Sequence, residues 1–435
     1  MSATTPGRRW RRPLVSLALA AVLAGCGSGG TILGGNDTYS ATTLTVYSDL
    51  PLLGPDGAQM TSIVDGEELA LYNHGGHVGK LHVSLQSLNS YPDPSVSDPL
   101  LANPLRNLDA RIGESAHSAS SDLSTVAYIG DYDSAATAIS LPLNNQNDIL
   151  QISPGSSYVG FTDADPADLI GDPRAFDAYG TPTFARLVPS DLIEARATVG
   201  WMRSLGVTRL ALLTDNSNAP EDYDAVIAAE VGADAPAAGI TVVSRRSGID
   251  TASLTSPADY AHLAAALAAE HPGAILLGGA PDAGAAALWR ELHAAMPDAK
   301  LFAPSTLAAP PFLRGLAGAA AATYVTSPLL EPSQYPASAQ QVFAQCRRLF
   351  GLAASAQELY GYDAMNDVLA AIAKANRRAA YRPALLSAFF ALGRAGFKGT
   401  LGDYTINANG DTSLTKFDGY RVDTAGQLVA ARPLS

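Results

Sequence analysis

Two clusters of small hydroxyl residues stand directly after two successive apolar runs, and their chemistry suits an anion. The runs end at Ile129 and Ile152; Asp133-Ser134-Ala135-Ala136-Thr137 follows the first and Pro154-Gly155-Ser156-Ser157 the second. Serine hydroxyls and backbone N–H groups donate hydrogen bonds, and a helix N-terminus carries unpaired N–H groups and partial positive charge. Since Ser134 stands at the start of a predicted helix, the two turns together would suit a carboxylate.

The same residues also have a simpler interpretation. Ser134 could act only as a helix N-cap, and Ser156 and Ser157 only as polar turn residues. A pocket of this kind requires no basic residue. The chemistry therefore leaves open a small neutral or zwitterionic ligand as well as an acid.

The elements around the two turns predict an α/β fold. Strands at 43–50, 80–88, 209–214 and 274–279 alternate with helices of ten or more residues. This alternation predicts βαβ units, parallel sheets and right-handed crossovers, and two such series predict two Rossmann-like lobes. Ligands of open parallel sheets bind beyond the carboxyl ends of the strands, where both serine turns lie. The segment after residue 399 alternates with Gly, Asn and Asp turns and predicts short antiparallel strands.

Length and charge limit the classes of protein. A chain of 435 residues is too long for one ordinary core, so two domains are expected. The net charge of −13 disfavours a nucleic-acid partner, which a basic face usually binds. The composition fits an acidic globular protein outside the cytoplasm.

The first residues predict export and a membrane anchor. "MSATTPGRRWRR" is basic and "PLVSLALAAVLAGC" is apolar, which indicates a signal peptide over 1–25 that is too short to span a membrane. Leu23-Ala24-Gly25-Cys26 resembles a bacterial lipobox. The resemblance implies cleavage before Cys26, a lipidated cysteine and a flexible Gly/Ser-rich tether over 26–40. The alternative is a plain signal peptide with a chance cysteine.

Catalytic and metal motifs are missing from the sequence. It contains no Gly-x-Ser-x-Gly nucleophile elbow and no phosphate-binding loop, and the Ser413-x-x-Lys416 pair falls in the closing hairpin. His74 and His77 have no further ligands nearby, and Cys346 lies in an apolar-periodic helix where packing is its expected role. We therefore predict no enzyme activity, no cofactor, no metal and no disulfide.

Across nearly all of the mature chain, the sequence resembles the Leu/Ile/Val-binding proteins, which are type 1 periplasmic solute-binding proteins of branched-chain amino acid ABC transporters. The order and spacing of several stretches carry this resemblance. They are "LLGPDGAQMTSIVDGEELALYNHGG", "IGDYDSAAT", "ILQISPGSS", "TFARLVPSD", "YGYDAMNDVLAAIAKA" and "GFKGTLGDYTINANGD".

The resemblance implies a clamshell of two lobes joined by three hinge strands. Lobe 1 would comprise 41–187 plus 329–414, and lobe 2 would comprise 188–328 plus 415–435. The hinge strands would lie near Leu187-Val188, Pro328 and Thr415. The ligand would be held between the lobes.

The resemblance assigns the ligand carboxylate to lobe 1, at Ser134, Gly155 and Ser157, with Ser156 in the same turn. The remaining family positions depart from the usual pattern. Gln59 stands at a first-loop aromatic position, Ala280 where a tyrosine is frequent and Ser305 at the acidic position that pairs with an ammonium group; Tyr223 matches another tyrosine only with a shift of several residues.

A buried ammonium group without a carboxylate is costly, so these departures widen the choice of ligand. Either Glu221, Asp222 or Asp282 replaces the missing acid, or the ligand has no α-ammonium. Organic acids, aromatic acids, amides and short peptides are then alternatives to an amino acid. The long segment 158–184 should lie near the cleft, and Phe161, Phe176 or Tyr179 could supply an aromatic wall.

The expected function is capture of a small carboxylate-bearing ligand and its delivery to an ABC transporter permease. The protein would act as a monomer, lipid-anchored on the extracytoplasmic face of the cell membrane. The alternative is a lipoprotein of the same fold that senses a ligand or regulates an envelope partner.

Overall fold

The computed structural model describes residues 43–91, 104–163, 173–177, 179, 181–215, 223, 226–251, 256–351 and 353–434. The predicted signal peptide, Cys26 and the tether lie outside these residues, as do Glu221 and Asp222. None of the helices described is both long and apolar enough to cross a membrane.

The first sheet has six strands in the order β2-β3-β1-β4-β5-β6. Its strands are β1 (Thr43–Leu50), β2 (His77–Val78), β3 (Leu81–Asn89), β4 (Thr125–Ile129), β5 (Leu150–Ser153) and β6 (Phe184–Arg186). All pairings are parallel except that of β2 with β3. Every residue of β4 and of β5 is buried, as expected for parallel strands covered on both faces.

The second sheet has seven strands in the order β15-β14-β11-β10-β9-β7-β8. Its strands are β7 (Arg209–Asp215), β8 (Thr241–Ile249), β9 (Ala274–Gly278), β10 (Lys300–Ala303), β11 (Thr323–Ser327), β14 (Phe417–Val422) and β15 (Leu428–Leu434). The last two add to it in antiparallel fashion. A separate antiparallel pair is formed by β12 (Phe397–Lys398) and β13 (Asp403–Tyr404). The predicted α/β fold is confirmed, with sheets that are mixed at their edges instead of wholly parallel.

Helices connect the strands and cover both sheets. They are α1 (Gly57–Asn73), α2 (Pro104–Ser121), α3 (Ser134–Gln146), α4 (Pro173–Phe176), α5 (Asp191–Ser204), α6 (Val226–Asp234), α7 (Pro257–Ala268), α8 (Ala283–Ala295), α9 (Pro310–Gly315), α10 (Ala337–Phe350), α11 (Ala356–Ala375) and α12 (Arg382–Ala395). The last three return to the first sheet, where their apolar faces join its main core and bury Cys346. The second sheet has its own apolar clusters on its two faces.

The chain passes between the two sheets three times. It leaves the first sheet after β6, returns after β11, and crosses again between β13 and β14. The residues predicted as hinges, Leu187-Val188, Pro328 and Thr415, lie in these three segments. The first crossing leads directly into α5, so the start of this helix stands beside the carboxyl ends of the first sheet.

Candidate functional site

The first serine turn opens α3, but the N-cap of this helix is Asp133. Asp133 has an extended backbone and its carboxylate accepts the N–H of Ala136 at 2.8 Å, whereas Ser134 is the first helical residue. The interpretation of Ser134 as the N-cap is therefore wrong. The Ser134 oxygen instead accepts the N–H of Tyr158, at 3.2 Å, and so joins the first turn to the second.

The second turn separates into inward and outward residues. Ser156 is fully buried, with its oxygen 2.5 Å from that of Thr137, and its hydroxyl lies within reach of carbonyl groups of the first turn. Gly155 has no room for a side chain, because a Cβ there would lie 2.4 Å from the carbonyl oxygen of Tyr132. Ser157 is half-buried and its hydroxyl makes no hydrogen bond within the described part of the chain.

Two hydroxyl donors remain at this place. The hydroxyl of Ser134 only accepts a bond, and that of Ser157 makes none among the residues described, so both protons are available to a ligand. The Ser156 hydroxyl is already hydrogen-bonded to groups inside the protein. The geometry thus favours Ser134 and Ser157 over Ser156 for contact with an acid.

A buried polar network fixes the loop beneath the first turn. The Tyr128 hydroxyl lies 3.2 Å from carboxylate oxygens of both Asp49 and Asp131, and the Ser140 hydroxyl also donates to Asp131. Burial raises the pKa of Asp49 to about 7 and that of Asp131 well above its ordinary value. Protonation of one of these two acids would relieve the repulsion of two buried charges.

Arg186, at the end of β6, holds the second turn from below. Its side chain is fully buried; Nη1 donates to the carbonyl oxygens of Ser156 at 3.4 Å and Tyr158 at 2.7 Å, on either side of Ser157. Nε pairs with the carboxylate of Asp411 at 2.7 Å, and Nη2 donates to Thr162. The arginine therefore fixes the backbone of a candidate ligand residue. The sequence analysis did not identify it.

In the second sheet, Ser305 follows β10 and is bonded to a buried acid, Glu194 of α5. The N–H of Ser305 donates to Glu194 Oε1 at 2.6 Å and its hydroxyl donates to Oε2 at 2.5 Å. The Thr326 hydroxyl adds a third bond, at 2.6 Å. Burial raises the pKa of Glu194 to about 7, and these bonds oppose that rise. Sequence reasoning missed Glu194, although it lies one turn into the helix that follows the first crossing.

The remaining candidate residues are spread over both sheets. Gln59 lies on α1 and its amide oxygen is 3.4 Å from the amide nitrogen of Gln357. Ala280 is half-buried just after β9. Asp282 is the N-cap of α8, where it accepts the N–H of Ala285 at 2.6 Å, so its carboxylate already has a structural partner.

Aromatic side chains from 158–184 meet Tyr223. Phe161 and Tyr223 are stacked with ring centroids 6.0 Å apart, and Tyr158 meets Tyr223 edge-on at 5.0 Å. Phe176 is buried against Phe161 at 4.8 Å. Tyr179 is 62% exposed. Of the three aromatic residues proposed as a wall, Phe161 and Phe176 therefore belong to a buried cluster that Tyr223 joins.

Metal binding finds no support in this geometry. Within the described ranges, no group of three His, Cys, Asp or Glu side chains lies close enough together to hold an ion. The arrangement offers hydroxyl donors beside the first sheet and a carboxylate-bonded serine beside the second. It can bind an organic ligand through hydrogen bonds.

Known proteins with a similar sequence profile or a similar structure identify the family to which this architecture belongs. The profile of the family described as "Periplasmic binding protein" matches residues 114–427. An ABC transporter substrate-binding protein from Desulfitobacterium hafniense, solved in complex with Leu, is 18% identical with a TM-score of 0.68, over 89% of this chain and 100% of that one. A leucine binding protein from Thermotoga maritima is 17% identical with a TM-score of 0.69, over 90% and 98%.

A solute binding protein from R. palustris in complex with benzoate is 16% identical with a TM-score of 0.65, over 90% of this chain and 96% of that one. A search of curated proteins finds no match. The profile covers more than half of the chain and the structures share its fold, so the resemblance seen in the sequence is confirmed. This chain belongs to the family of periplasmic binding proteins.

Proposed function

We propose that this protein captures a small carboxylate-bearing ligand between its two lobes and delivers it to an ABC transporter permease. It performs no chemistry on the ligand. Lobe 1 comprises 41–187 plus 329–414, lobe 2 the remainder of the folded chain, and the lobes move about the three crossings. Lipidation of Cys26 keeps the protein on the extracytoplasmic face of the membrane, where it works as a monomer.

The observation that carries this proposal is the pair of available hydroxyl donors at Ser134 and Ser157. Both lie at carboxyl ends of parallel strands, the usual ligand position in such sheets. We call Ser134 and Ser157 together the carboxylate clip; the carbonyl oxygen of Ser157 accepts the N–H of Asp191 at 3.0 Å, so the clip lies against the first turn of α5. A carboxylate there receives charge-assisted hydrogen bonds, which are stronger than neutral ones.

The end of the ligand opposite its carboxylate faces Ser305, which offers a hydrogen-bond acceptor instead of a donor. Because the Ser305 hydroxyl donates its proton to the Glu194 carboxyl group, the Ser305 oxygen is left as a hydrogen-bond acceptor, and this donated bond strengthens it. Such an oxygen favours a ligand N–H, ammonium or hydroxyl donor. Glu194 thus offers a substitute for the acid that the sequence lacks at Ser305, and an amino acid returns to the set of candidate ligands.

A thermal-shift screen tests both halves. The panel pairs each amino acid with the acid that lacks its amine and the amide that lacks its carboxylate. A ligand at one hundred times its Kd adds about 2.7 kcal/mol to the free energy of unfolding. We expect the amides to fail, and Ser134→Ala and Ser157→Ala to weaken binding while Ser118→Ala, on exposed α2, leaves it unchanged.

The second half is tested by Ser305→Ala and Glu194→Gln. If amino acids bind and these two variants lose the preference for them over the plain acids, the Ser305–Glu194 pair recognises the donor group. Binding of amides that is indifferent to Ser134 and Ser157 would refute the carboxylate clip. If no compound in the panel binds, the sensing or partner-regulating lipoprotein becomes the better proposal.

A further inference from the structure

A cavity of about 440 Å³ lies in the first lobe, away from the serine turns. It is open to solvent, and the end of α1, one face each of α10 and α11, and the turn after β12 line it. Its polar lining includes Asn73, Gln341, Gln345, Tyr362, Asn366 and Asp367. None of them belongs to the candidate site between the lobes. Its size is in the range of small-molecule sites.

The polar lining comes from two helical faces with a regular spacing. Ser338, Gln341 and Gln345 recur at intervals of three and four along α10, and Tyr362 and Asn366 are four apart on α11. Residues so spaced share one helix face. On α10 the neighbouring face, with Phe343 and Cys346, is buried in the core, so the amides are directed to the cavity side.

Two carboxyl groups in the lining, Asp363 and Asp367, differ in how many hydrogen bonds they accept. Asp363 accepts bonds at 2.9 Å from the N–H groups of Thr400 and Leu401, and it shapes the turn after β12. Asp367 is only 4% exposed, and its Oδ2 accepts the Tyr404 hydroxyl at 2.8 Å. Its Oδ1 has no hydrogen bond from the described residues. Solvent reaches this oxygen, so water or a ligand can supply its missing bond.

The amides are also incompletely used. Asn73 donates to the Gln345 oxygen at 3.0 Å and lies 3.3 Å from the Tyr362 hydroxyl, which orients the Gln345 NH₂ group as a remaining donor. Gln341 and Asn366 make no side-chain hydrogen bond with the described part of the chain. Each amide offers both donors and an acceptor. A hydroxyl group, which likewise donates and accepts, matches such a lining.

The charge of the lining narrows the ligand class. Asp363 and Asp367 are its acids, and its lysine, Lys398, is paired with Asp403 at 3.0 Å. An anionic ligand would meet two carboxyl groups without a free cation. We propose that this cavity is a second ligand site, for a neutral, hydroxyl-rich compound of the size of a mono- or disaccharide.

Isothermal titration of the full chain tests this site with four probes: glucose, maltose, the anion glucuronate and the cation spermidine. We expect at least one neutral sugar to bind and glucuronate to fail. Asn366→Ala and Gln341→Ala should each weaken sugar binding about tenfold, since each removes donors and an acceptor. Gln340→Ala is the matched control on the same helix, because the Gln340 side chain bonds to the Pro332 carbonyl outside the cavity.

Ser157→Ala separates this site from the one between the lobes. Sugar binding that survives Ser157→Ala and falls with Asn366→Ala supports the second site. Binding that falls only with Ser157→Ala would assign the sugar to the cleft and overturn the proposal. The proposal would also be overturned if neither sugar bound, or if spermidine bound in their place. Neither of these results would affect the proposed transport function.

Discussion

Arg186 holds the backbone on both sides of Ser157, a residue of the proposed ligand site. A buried guanidinium is costly to desolvate, and here it has a carboxylate, two carbonyls and a hydroxyl as partners. The two carbonyls belong to the residues before and after Ser157. If Ser157 contacts the ligand as proposed, Arg186 is a positioning residue, because it holds the backbone that carries the Ser157 hydroxyl.

Arg186→Lys should weaken ligand binding, and it should do so more than a control variant that loses the same amount of stability. Lysine keeps the charge but cannot reach several acceptors in a fixed plane. Arg382→Lys is the control, because Arg382 also binds three carbonyls, those of Thr125, Asn147 and Asp122, but at the amino end of β4. Both variants should lose about 1–3 kcal/mol of stability. In titration calorimetry with a ligand from the screen, only Arg186→Lys should raise the Kd, about tenfold or more; equal Kd values would contradict the positioning role.

The serine turns could be found from the sequence, but their supports could not. Short apolar runs followed by Ser, Gly and Asp mark strand ends by local chemistry alone. Arg186 is 225 residues from Asp411, and Glu194 is 111 residues from Ser305, so neither pairing leaves a local pattern. The N-cap was misplaced by one residue, since Asp133 and Ser134 have similar capping preferences.

Among the elements, α1 and α11 pack with their backbones almost in contact. A Cβ on Gly66 would lie 2.0 Å from the carbonyl oxygen of Glu358, and a Cβ on Gly361 would lie 1.9 Å from that of Ile63. The two glycines thus sit on opposite sides of one crossing. Since the neighbours are backbone atoms, no side-chain rotation can make room.

Gly66→Ala and Gly361→Ala should each destabilise the protein by about 2–4 kcal/mol, because the helices must separate within a packed core. Gly113→Ala on α2 is the matched control, since nothing lies within 4 Å of its Cβ position. There the better helix propensity of alanine should add about 0.5–1 kcal/mol. Urea unfolding of the three variants measures the difference. Similar small changes in all three would mean that the crossing is looser than the structure shows.

Element type followed from periodicity more reliably than element edges did. The predicted strands at 43–50, 80–88, 209–214 and 274–279 correspond to β1, β3, β7 and β9, because each has an apolar pattern of its own. The two-residue strand β2 has no recognisable local pattern, since so short a pairing depends on its partner β3. In the segment 158–184, Phe161 and Phe176 are candidates for an aromatic wall by sequence, yet both are buried, through contacts that only the tertiary fold supplies.

At the scale of the whole molecule, acids outnumber bases by 41 to 28, and many are buried. Burial raises the pKa of Glu358, which is fully buried and has neither oxygen bonded to an N or O donor, to about 7. The pKa values of further buried acids are raised for the same reason. These are Asp49, Glu67, Asp131, Asp177, Glu194, Asp363 and Asp367.

The sign of the pH dependence follows from proton binding. A carboxyl whose pKa is higher in the folded state binds its proton more tightly there than in the unfolded chain. For Glu358 the ordinary pKa is 4.5 and the pKa in the folded protein is about 7. The free energy of unfolding therefore falls as the pH rises from the first of these values through the second. Asp122, whose pKa is lowered chiefly by its bonds with Ser124 against the opposing effect of burial, acts in the opposite direction at lower pH.

We therefore expect the protein to be more stable at pH 5 than at pH 8, unlike a protein whose acids are held by salt bridges. Urea unfolding at unit pH steps measures this slope. Glu358→Gln should raise the free energy of unfolding at pH 8 by about 1–3 kcal/mol and flatten the slope, because it removes one buried charge without changing side-chain volume. Glu114→Gln, at an exposed position of α2, should change neither. The expectation would be contradicted if stability rose from pH 5 to pH 8, or if Glu358→Gln lost stability at pH 8. Either result would show that the buried acids are ionised and paired, so that their negative charges stabilise the folded state.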